Sequence, residues 1–281
     1  MKEQKILITG GTGKTGRRVA GKLQQAGIIN IRIGSRRETP PFDWDAPGSW
    51  EEVLTGIDTV YISFQPDLAI PTSASVIRAF TSLASRLGVR KMVLLSGRGE
   101  AEAIKCEEIV KEAAASWSIV RASWFNQNFD EGIFLDPILA GHFVVPGVES
   151  PEPFTDADDI SDVVVQCLLD DKHNGKTYDL TGPELLTFGA AIKQIAEASG
   201  RTIVFEPIPM DDYEQMLRSY NVPEDQLWLI RYLFTEVLDG RNANVTNDIE
   251  KVLGRKARTF SQYAADAVKK GVWTPSKIPT L

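Results

Sequence analysis

Apolar residues gather in short runs at Ile6 to Thr9, Ile29 to Gly34, Val60 to Phe64, Lys91 to Ser96 and Trp117 to Arg121. Short β-type runs that alternate with helical patterns predict βαβ units around a parallel sheet. Between the third and fourth runs, Val76, Ile77, Phe80, Leu83, Ala84 and Leu87 recur at helical spacing, which predicts a packed crossover helix. Beyond Arg121 the rhythm loosens into aromatic and Pro/Gly-rich stretches, "SWFNQNF" and "VVPGVESPEPF". A helix is expected from near Asp156, a strand over Lys176 to Leu180, and a helix capped by Thr187 and running to Ser199. From Asp211 onward the pattern is almost entirely helical. The expected organisation is a core over residues 1–150 and a largely helical lobe over 151–281, with some chain returning to the core.

Bulk properties narrow the classes of function. A chain of 281 residues with 43% apolar and 25% charged residues has the composition of an ordinary globular protein. No apolar stretch approaches the roughly 18 residues of a membrane helix, and the segment after Lys5 is too short for a signal peptide, so a cytoplasmic location is expected. The net charge of −7 argues against general nucleic-acid binding, which relies on Lys and Arg neutralising phosphates. Two cysteines, Cys106 and Cys167, and two histidines, His142 and His173, have no metal-type spacing, so neither a disulfide framework nor a metal site is expected.

The sharpest motif is "TGGTGKTG", Thr9 to Gly16, directly after the first run. A Walker loop ending in Gly13-Lys14-Thr15 would need its first glycine at position 8, and that residue is Ile8, inside the strand. Gly10, Gly13 and Gly16 instead satisfy a dinucleotide turn. The first allows a sharp bend, the second lets the backbone approach a pyrophosphate, and the third brings helix and sheet together. Gly11, Thr12, Lys14 and Thr15 complete the candidate loop. Lys14, Arg17 and Arg18 stand at a helix N-terminus, where cations are disfavoured unless an anion is bound or they point into solvent. About twenty residues past the last glycine, where NAD(H) would meet an acidic side chain, stand Ser35, Arg36 and Arg37. Guanidinium groups grip a 2′-phosphate bidentately, so NADP(H) is expected in preference to NAD(H). The fold class that follows is α/β, a Rossmann-like doubly wound parallel sheet with a smaller, mostly helical C-terminal substrate lobe.

With "ITGGTGKTG", "FDW" at Phe42 to Trp44, "VLLSG" at Val93 to Gly97 and "IVRASWFNQNF" at Ile119 to Phe129, the chain resembles the NmrA-like atypical short-chain dehydrogenase/reductases along nearly its whole length. Within that branch, "TGPELLTF" and "EVLDGRNANVTNDIEKVLG" are most similar to the ergot-alkaloid reductases, the festuclavine and agroclavine dehydrogenases. The resemblance implies that Ser63, Phe64, Gln65 and Pro66 border the ribose and nicotinamide, with Ser96 and Gly97 opposite. It places Asp43 and Trp44 near the adenine, and Trp124 and Phe125 at the nicotinamide and the floor of the substrate pocket.

The superfamily's usual proton donor is a Tyr-x-x-x-Lys pair, and no tyrosine here has a lysine four residues later. The helix "EAEAIKCEEIVKEA" offers Lys105, Cys106, Glu107 and Glu108, of which Lys105 is the best candidate donor and Cys106 a candidate nucleophile. Carbonyl reduction needs an acid to protonate an alkoxide, whereas hydride addition to an iminium ion discharges an existing charge, and conjugated acceptors such as quinones delocalise theirs. The expected activity is hydride transfer from NADP(H) to an imine, iminium, quinone or other conjugated small molecule, with a small apolar or cationic aromatic substrate. The alternative is a non-catalytic NmrA-like NADP(H)-binding regulator or redox sensor. Near the C-terminus Leu227, Ile230, Phe234 and Val237 form one apolar stripe. Trp228 and Tyr232 lie on another face, where they would cover the substrate together with Tyr213 and Met216, make a dimer contact or complete the core. A monomer and a homodimer are both compatible with the sequence.

Overall fold

In a computed structural model, which describes residues 4–274, the first apolar run is strand β1 (Ile6–Thr9), and the glycine loop leads into helix α1 (Lys14–Gln25). Strand β2 (Ile31–Gly34), the short helix α2 (Trp50–Leu54), β3 (Thr59–Ile62), α3 (Ser73–Arg86), β4 (Lys91–Gly97), α4 (Ala101–Ala113) and β5 (Ser116–Ala122) follow. Next come α5 (Leu135–Ala140), β6 (His142–Pro146), α6 (Ala157–Leu169), β7 (Lys176–Leu180), α7 (Phe188–Ser199) and β8 (Val204–Ile208). Four helices close the chain: α8 (Met210–Ser219), α9 (Glu224–Tyr232), α10 (Asp248–Leu253) and α11 (Phe260–Lys269).

The chain forms two compact units. The first contains the chain up to Ala122, together with Ala157–Leu180 and Asn247–Lys256. Its six strands are all parallel, in the order β2-β1-β3-β4-β5-β7. Every residue of β1 and β3 is buried, as expected of parallel strands covered on both faces, whose sequences are runs rather than alternations. Successive side chains still part company: Leu7, Val60, Ile62, Met92 and Leu94 share one core with Ile77 and Phe80 of α3 and Ala103 and Val110 of α4. Helix α1 packs beside α6, and α6 packs on β4 and β5. A 3-10 turn at Pro47–Ser49 and α2 separate β2 from β3 in sequence, and β1 pairs with both, Ile6 opposite Ile31 on one side and Thr59 on the other. The strand order therefore reverses between β1 and β3, the place where open parallel sheets bind ligands beyond their C-terminal ends.

The second unit comprises Ser123–Asp156, Thr181–Thr246 and the chain from Ala257. Its core is unusually aromatic, with Phe129, Phe134, Phe143, Phe154, Phe188, Phe234 and Phe260 in one cluster. Thr187 caps α7 as expected, its Oγ1 accepting from the Ala190 amide at 3.1 Å. The parallel pair β6·β8, aligned His142 with Val204 through Pro146 with Ile208, is not apparent in the sequence pattern. Both strands contain proline and are partly exposed, and a two-stranded ribbon leaves edges on which proline is tolerated. The stripe on α9 is core: Leu227, Phe234 and Val237 are buried, and Ile230 packs against the aromatic cluster. The helical pattern there ends in a π-helical stretch, Leu233–Val237.

Candidate cofactor site

The glycine loop is shaped by steric necessity. Gly10 has φ +59°, in the left-handed region, and its carbonyl oxygen accepts the Gly13 amide at 2.9 Å, closing the turn. A Cβ on Gly16 would lie 2.2 Å from the Gly10 carbonyl oxygen and 2.7 Å from the Gly11 Cα, so the helix could not approach the turn with any other residue there. A Cβ on Gly11 would meet Ile33 Cγ2 at 2.6 Å. Gly13 is different: its Cβ would come to 3.2 Å from Gly10 O and 3.5 Å from Gln65 Nε2, between the loop and the chain after β3.

Three side chains fasten this loop to the sheet. Thr9 Oγ1 donates to the Tyr61 carbonyl at 3.1 Å and accepts the Ser63 amide at 2.9 Å, joining the ends of β1 and β3. The Tyr61 hydroxyl donates to Thr15 Oγ1 at 3.0 Å, and burial pushes its pKa far above the usual phenol value, so it remains a donor. Trp44 Nε1 donates to the Ser63 carbonyl at 3.2 Å while its ring sits among Phe42, Trp50, Phe64 and Phe80. Trp44 is therefore buried core as well as a neighbour of Ser63. Asp43 is engaged in its own turn, its carboxylate accepting from the Asp45 amide at 3.2 Å and its carbonyl from Trp50 Nε1 at 2.7 Å.

After β2, Ser35 organises a turn by accepting the Phe42 amide on its carbonyl at 2.9 Å. Arg36 and Arg37 are exposed on that turn, and neither guanidinium has a hydrogen bond or ion pair among the described residues. Arg18 corrects the expectation that it faces either an anion or solvent. Its Nε bonds Asp158 of α6 at 3.2 Å and its Nη1 donates to the Lys14 carbonyl at 2.7 Å. Helix α6 presents a row of acids, Asp158, Asp159 and Asp162, of which the second and third are bonded by Arg255 at 2.6 Å each. The N-cap residue of α1 is Gly13, which has no side chain to make a capping bond.

At the end of β4, Ser96 is buried and donates from Oγ to Glu107 Oε1 at 2.7 Å. Arg121 of β5 grips the same carboxylate with two bonds, 2.8 Å from Nε and 2.6 Å from Nη2. Those bonds to Glu107 also hold the guanidinium pKa above its ordinary value. Glu107 occupies the inward face of α4 with Ala103, Cys106 and Val110. The sequence carries that signal as an acidic residue at an apolar helical spacing, and charge alone did not reveal it.

Lys105 is exposed, bonded to Glu102, and lines an outer groove between α3 and α4 with Ser75, Arg78 and Glu108. That position supplies no reason to give it a proton-donor role. Cys106 is corrected as a nucleophile: it is fully buried, its Sγ contacts Ser73 Oγ at 3.5 Å, and burial raises its pKa, so it stays an inert thiol. In the second unit Trp124 is half-buried against Phe188 and Phe234, with ring centroids 5.5 and 5.3 Å apart, and Phe125 pairs with Thr155 through a β-bridge. Tyr213 is buried beside Phe234, and Met216 is half-buried. Trp228 is 43% exposed and stacks on Tyr232 with their planes 7° apart.

No protein-family model matches the chain. Similarity to individual proteins nevertheless spans nearly its whole length. Prestalk A differentiation protein A of Dictyostelium discoideum is 27% identical, the alignment covering 93% of this chain and 91% of that protein. NAD(P)H azoreductase of Xenophilus azovorans is 26% identical over 92% of this chain and 96% of its own. The resemblance to the ergot-alkaloid reductases also holds: agroclavine dehydrogenase of Claviceps fusiformis is 27% identical, covering 95% of this chain and 98% of that enzyme. Among solved structures, the NADPH complex of the Escherichia coli quinone oxidoreductase QOR2 superposes with a TM-score of 0.76 at 17% identity, over 94% of this chain and 99% of that one. The NADP(H) complex of Citrobacter sp. triphenylmethane reductase gives 0.72 at 16% identity, over 93% and 99%. These structures establish the Rossmann-like fold.

Proposed function

We propose that the protein is an NADP(H)-dependent reductase that delivers hydride to an imine, iminium, quinone or other conjugated small molecule. The observation that carries this reading is the glycine turn at the N-terminus of α1, where Gly13 places no side chain between the Gly10 carbonyl and Gln65, with two arginines after β2 that have no partner among the described residues. A helix N-terminus without a side-chain cap suits a pyrophosphate, and Gly13 leaves the space for it. Arg36 and Arg37 suit a 2′-phosphate, because no intramolecular bond must be given up to bind it. The named substrates of the relatives, an azo compound and an ergot alkaloid, are conjugated or basic, as the absent Tyr–Lys pair requires.

When bound, the cofactor supplies a hydride from its nicotinamide ring. The chain's own contribution is positioning. Ser63 to Pro66 and Ser96 with Gly97 border the ribose and nicotinamide, their backbones fixed by Thr9, Trp44 and the Ser96–Glu107–Arg121 chain of hydrogen bonds. Trp124, with Phe125, offers an aromatic surface to a flat acceptor, and Tyr213, Met216, Trp228 and Tyr232 belong to the same substrate lobe. An iminium carbon that takes the hydride becomes a neutral amine and requires no proton there. A quinone takes the hydride and draws its proton from water. The deciding measurement is NADPH oxidation against a panel of iminium, quinone and dye acceptors, with NADPH and NADH affinities measured directly. Turnover with tighter NADPH binding is expected. Tight binding without turnover of any acceptor would make the protein a cofactor-binding sensor, and absence of binding would overturn the assignment.

A further inference from the structure

Glu100 behaves unlike an ordinary surface acid. It stands at the N-cap of α4, where the helix dipole favours an ionised carboxylate, yet its side chain makes no capping bond. It is only 7% exposed, and its Oε2 has no hydrogen-bond partner among the described residues. The side chain folds back over the end of β4. A Cβ built on Gly97 would lie 2.1 Å from Oε1 and 2.4 Å from Oε2, so the Glu100 carboxyl fills the place of the side chain that residue 97 lacks. Strands β3 and β4 run in parallel with Ile62 opposite Leu94, and Ser63, directly after β3, is what a Cβ on Gly10 would meet, its carbonyl oxygen at 3.2 Å. The carboxyl therefore stands at the same end of the sheet as the glycine turn.

An ionised carboxylate in that place would be buried with an oxygen to which nothing donates, a heavy penalty that the neutral acid avoids. We propose that Glu100 stays protonated and is the proton donor of this reductase, relaying to the acceptor the proton that a quinone draws from water. The inference rests on the reductase reading. A quinone that takes a hydride becomes a hydroquinone anion. Its anionic oxygen forms an O–H bond while the O–H bond of Glu100 breaks, the electron pair of that bond stays on the carboxylate, and the carboxylate takes a proton back from solvent before the next turnover. The other groups considered for this role are committed. Ser96 donates to Glu107 Oε1 at 2.7 Å, and Lys105 is exposed and bonded to Glu102.

Burial, foremost, holds the Glu100 pKa well above the ordinary carboxyl value, and the negative charges of Asp67 and Glu107 add to it. The surrounding polar groups are engaged elsewhere. On α4, Glu107 is bonded by Ser96 and Arg121, and Glu102 by Lys105. Asp67, after β3, accepts the Ala69 amide at 2.8 Å, and the Ser73 hydroxyl of α3 donates to the Leu68 carbonyl at 2.7 Å. Arg98, in the same turn as Glu100, is buried and has partners of its own. A carboxyl whose folded pKa is raised contributes stability that is fully present below the unfolded pKa and is lost as pH rises through the folded pKa. Proton delivery has the same sign, since the acid form is depleted over the same range.

The cofactor-free protein is measured first. Its infrared spectrum at neutral pH should contain a protonated-carboxyl band that Glu100→Gln removes, and its melting temperature should fall relative to that of Glu100→Gln as pH rises. Single-turnover hydride transfer at matched NADPH saturation is then compared for naphthoquinone and for N-methyl dihydroisoquinolinium, an iminium that needs no proton. The quinone-to-iminium rate ratio should drop about 100-fold in Glu100→Gln, which is the general-acid range. It should decline with rising pH in the unaltered protein only. Glu100→Asp, a shorter acid, should keep more of the ratio than Glu100→Gln, which separates the proton from the shape of the side chain. An unchanged ratio in Glu100→Gln would overturn the proposal, as would the absence of the carboxyl band. If the unaltered protein reduces neither acceptor, the reductase reading fails and proton delivery falls with it, while the band and the melting profiles still show whether Glu100 holds the proton.

Discussion

A methyl group at Gly16 would sit 2.2 Å from the Gly10 carbonyl oxygen, whereas one at Gly13 would meet nothing nearer than 3.2 Å. The first glycine is demanded by the fold, and the second leaves room beside the loop for the proposed cofactor. Gly16→Ala is expected to destabilise the protein by about 3 kcal/mol, because the strain falls on backbone that cannot rotate away. Gly13→Val should leave the secondary structure intact and abolish NADPH binding. Urea unfolding and NADPH titration on the two variants check both halves. Arg36 and Arg37 have no partners among the described residues, so replacing both with Ala should leave stability unchanged. NADPH affinity should then fall by roughly 3 to 6 kcal/mol in total, from two charge-assisted contacts, with NADH affinity unaltered. Isothermal titration with both cofactors measures the difference. Lys105→Ala should leave single-turnover hydride transfer at matched NADPH saturation unchanged, since that ammonium is exposed and bonded to Glu102. A loss of about 100-fold or more would return it to the general-acid range.

Between elements, the tie of greatest consequence is Glu107. Its carboxylate joins α4 to β4 through Ser96 and to β5 through both bonds of Arg121. Glu107→Ala would leave the Arg121 guanidinium without its main partner and Ser96 without its acceptor, an expected loss of about 3 kcal/mol. Glu107→Gln retains an oxygen acceptor and should lose less; denaturant melts of the pair of variants give the ordering. The α1–α6 contact is of another kind. Arg18 with Asp158 and Lys22 with Asp162 are partly solvated ion pairs, each worth about 1 kcal/mol or less. Their role is to select which helix faces lie together, while the apolar side chains supply most of the stabilisation. That arrangement explains why cations at the start of α1, unfavourable to the helix by itself, are tolerated.

At the scale of the molecule, cofactor binding and folding are linked. A ligand that binds only the folded chain adds about 2.7 kcal/mol at a concentration 100 times its Kd. Melting temperature should therefore climb with NADPH, and NADH should require a higher concentration for the same shift; differential scanning fluorimetry reads both.

The parallel sheet was legible from five apolar runs, because strands buried on both faces have to be apolar throughout. The glycine turn was legible because its backbone geometry excludes Cβ atoms, and Thr187 because an N-cap is a local bond. Strands β6 and β8 were not legible, since a partly exposed ribbon containing proline has no period that distinguishes it from a loop. Nor did spacing show that Glu107 would meet Arg121, that Arg18 would meet Asp158, or that Glu100 would fold onto Gly97. The sequence alone marked the apolar segments that form the main sheet, where the chain turns on glycine, and that no tyrosine has a lysine four residues later. Tertiary structure decided which charges are neutralised and which are buried without a donor. Periodicity and backbone sterics act within a few residues, whereas desolvation and ion pairing depend on groups that only the folded chain brings together.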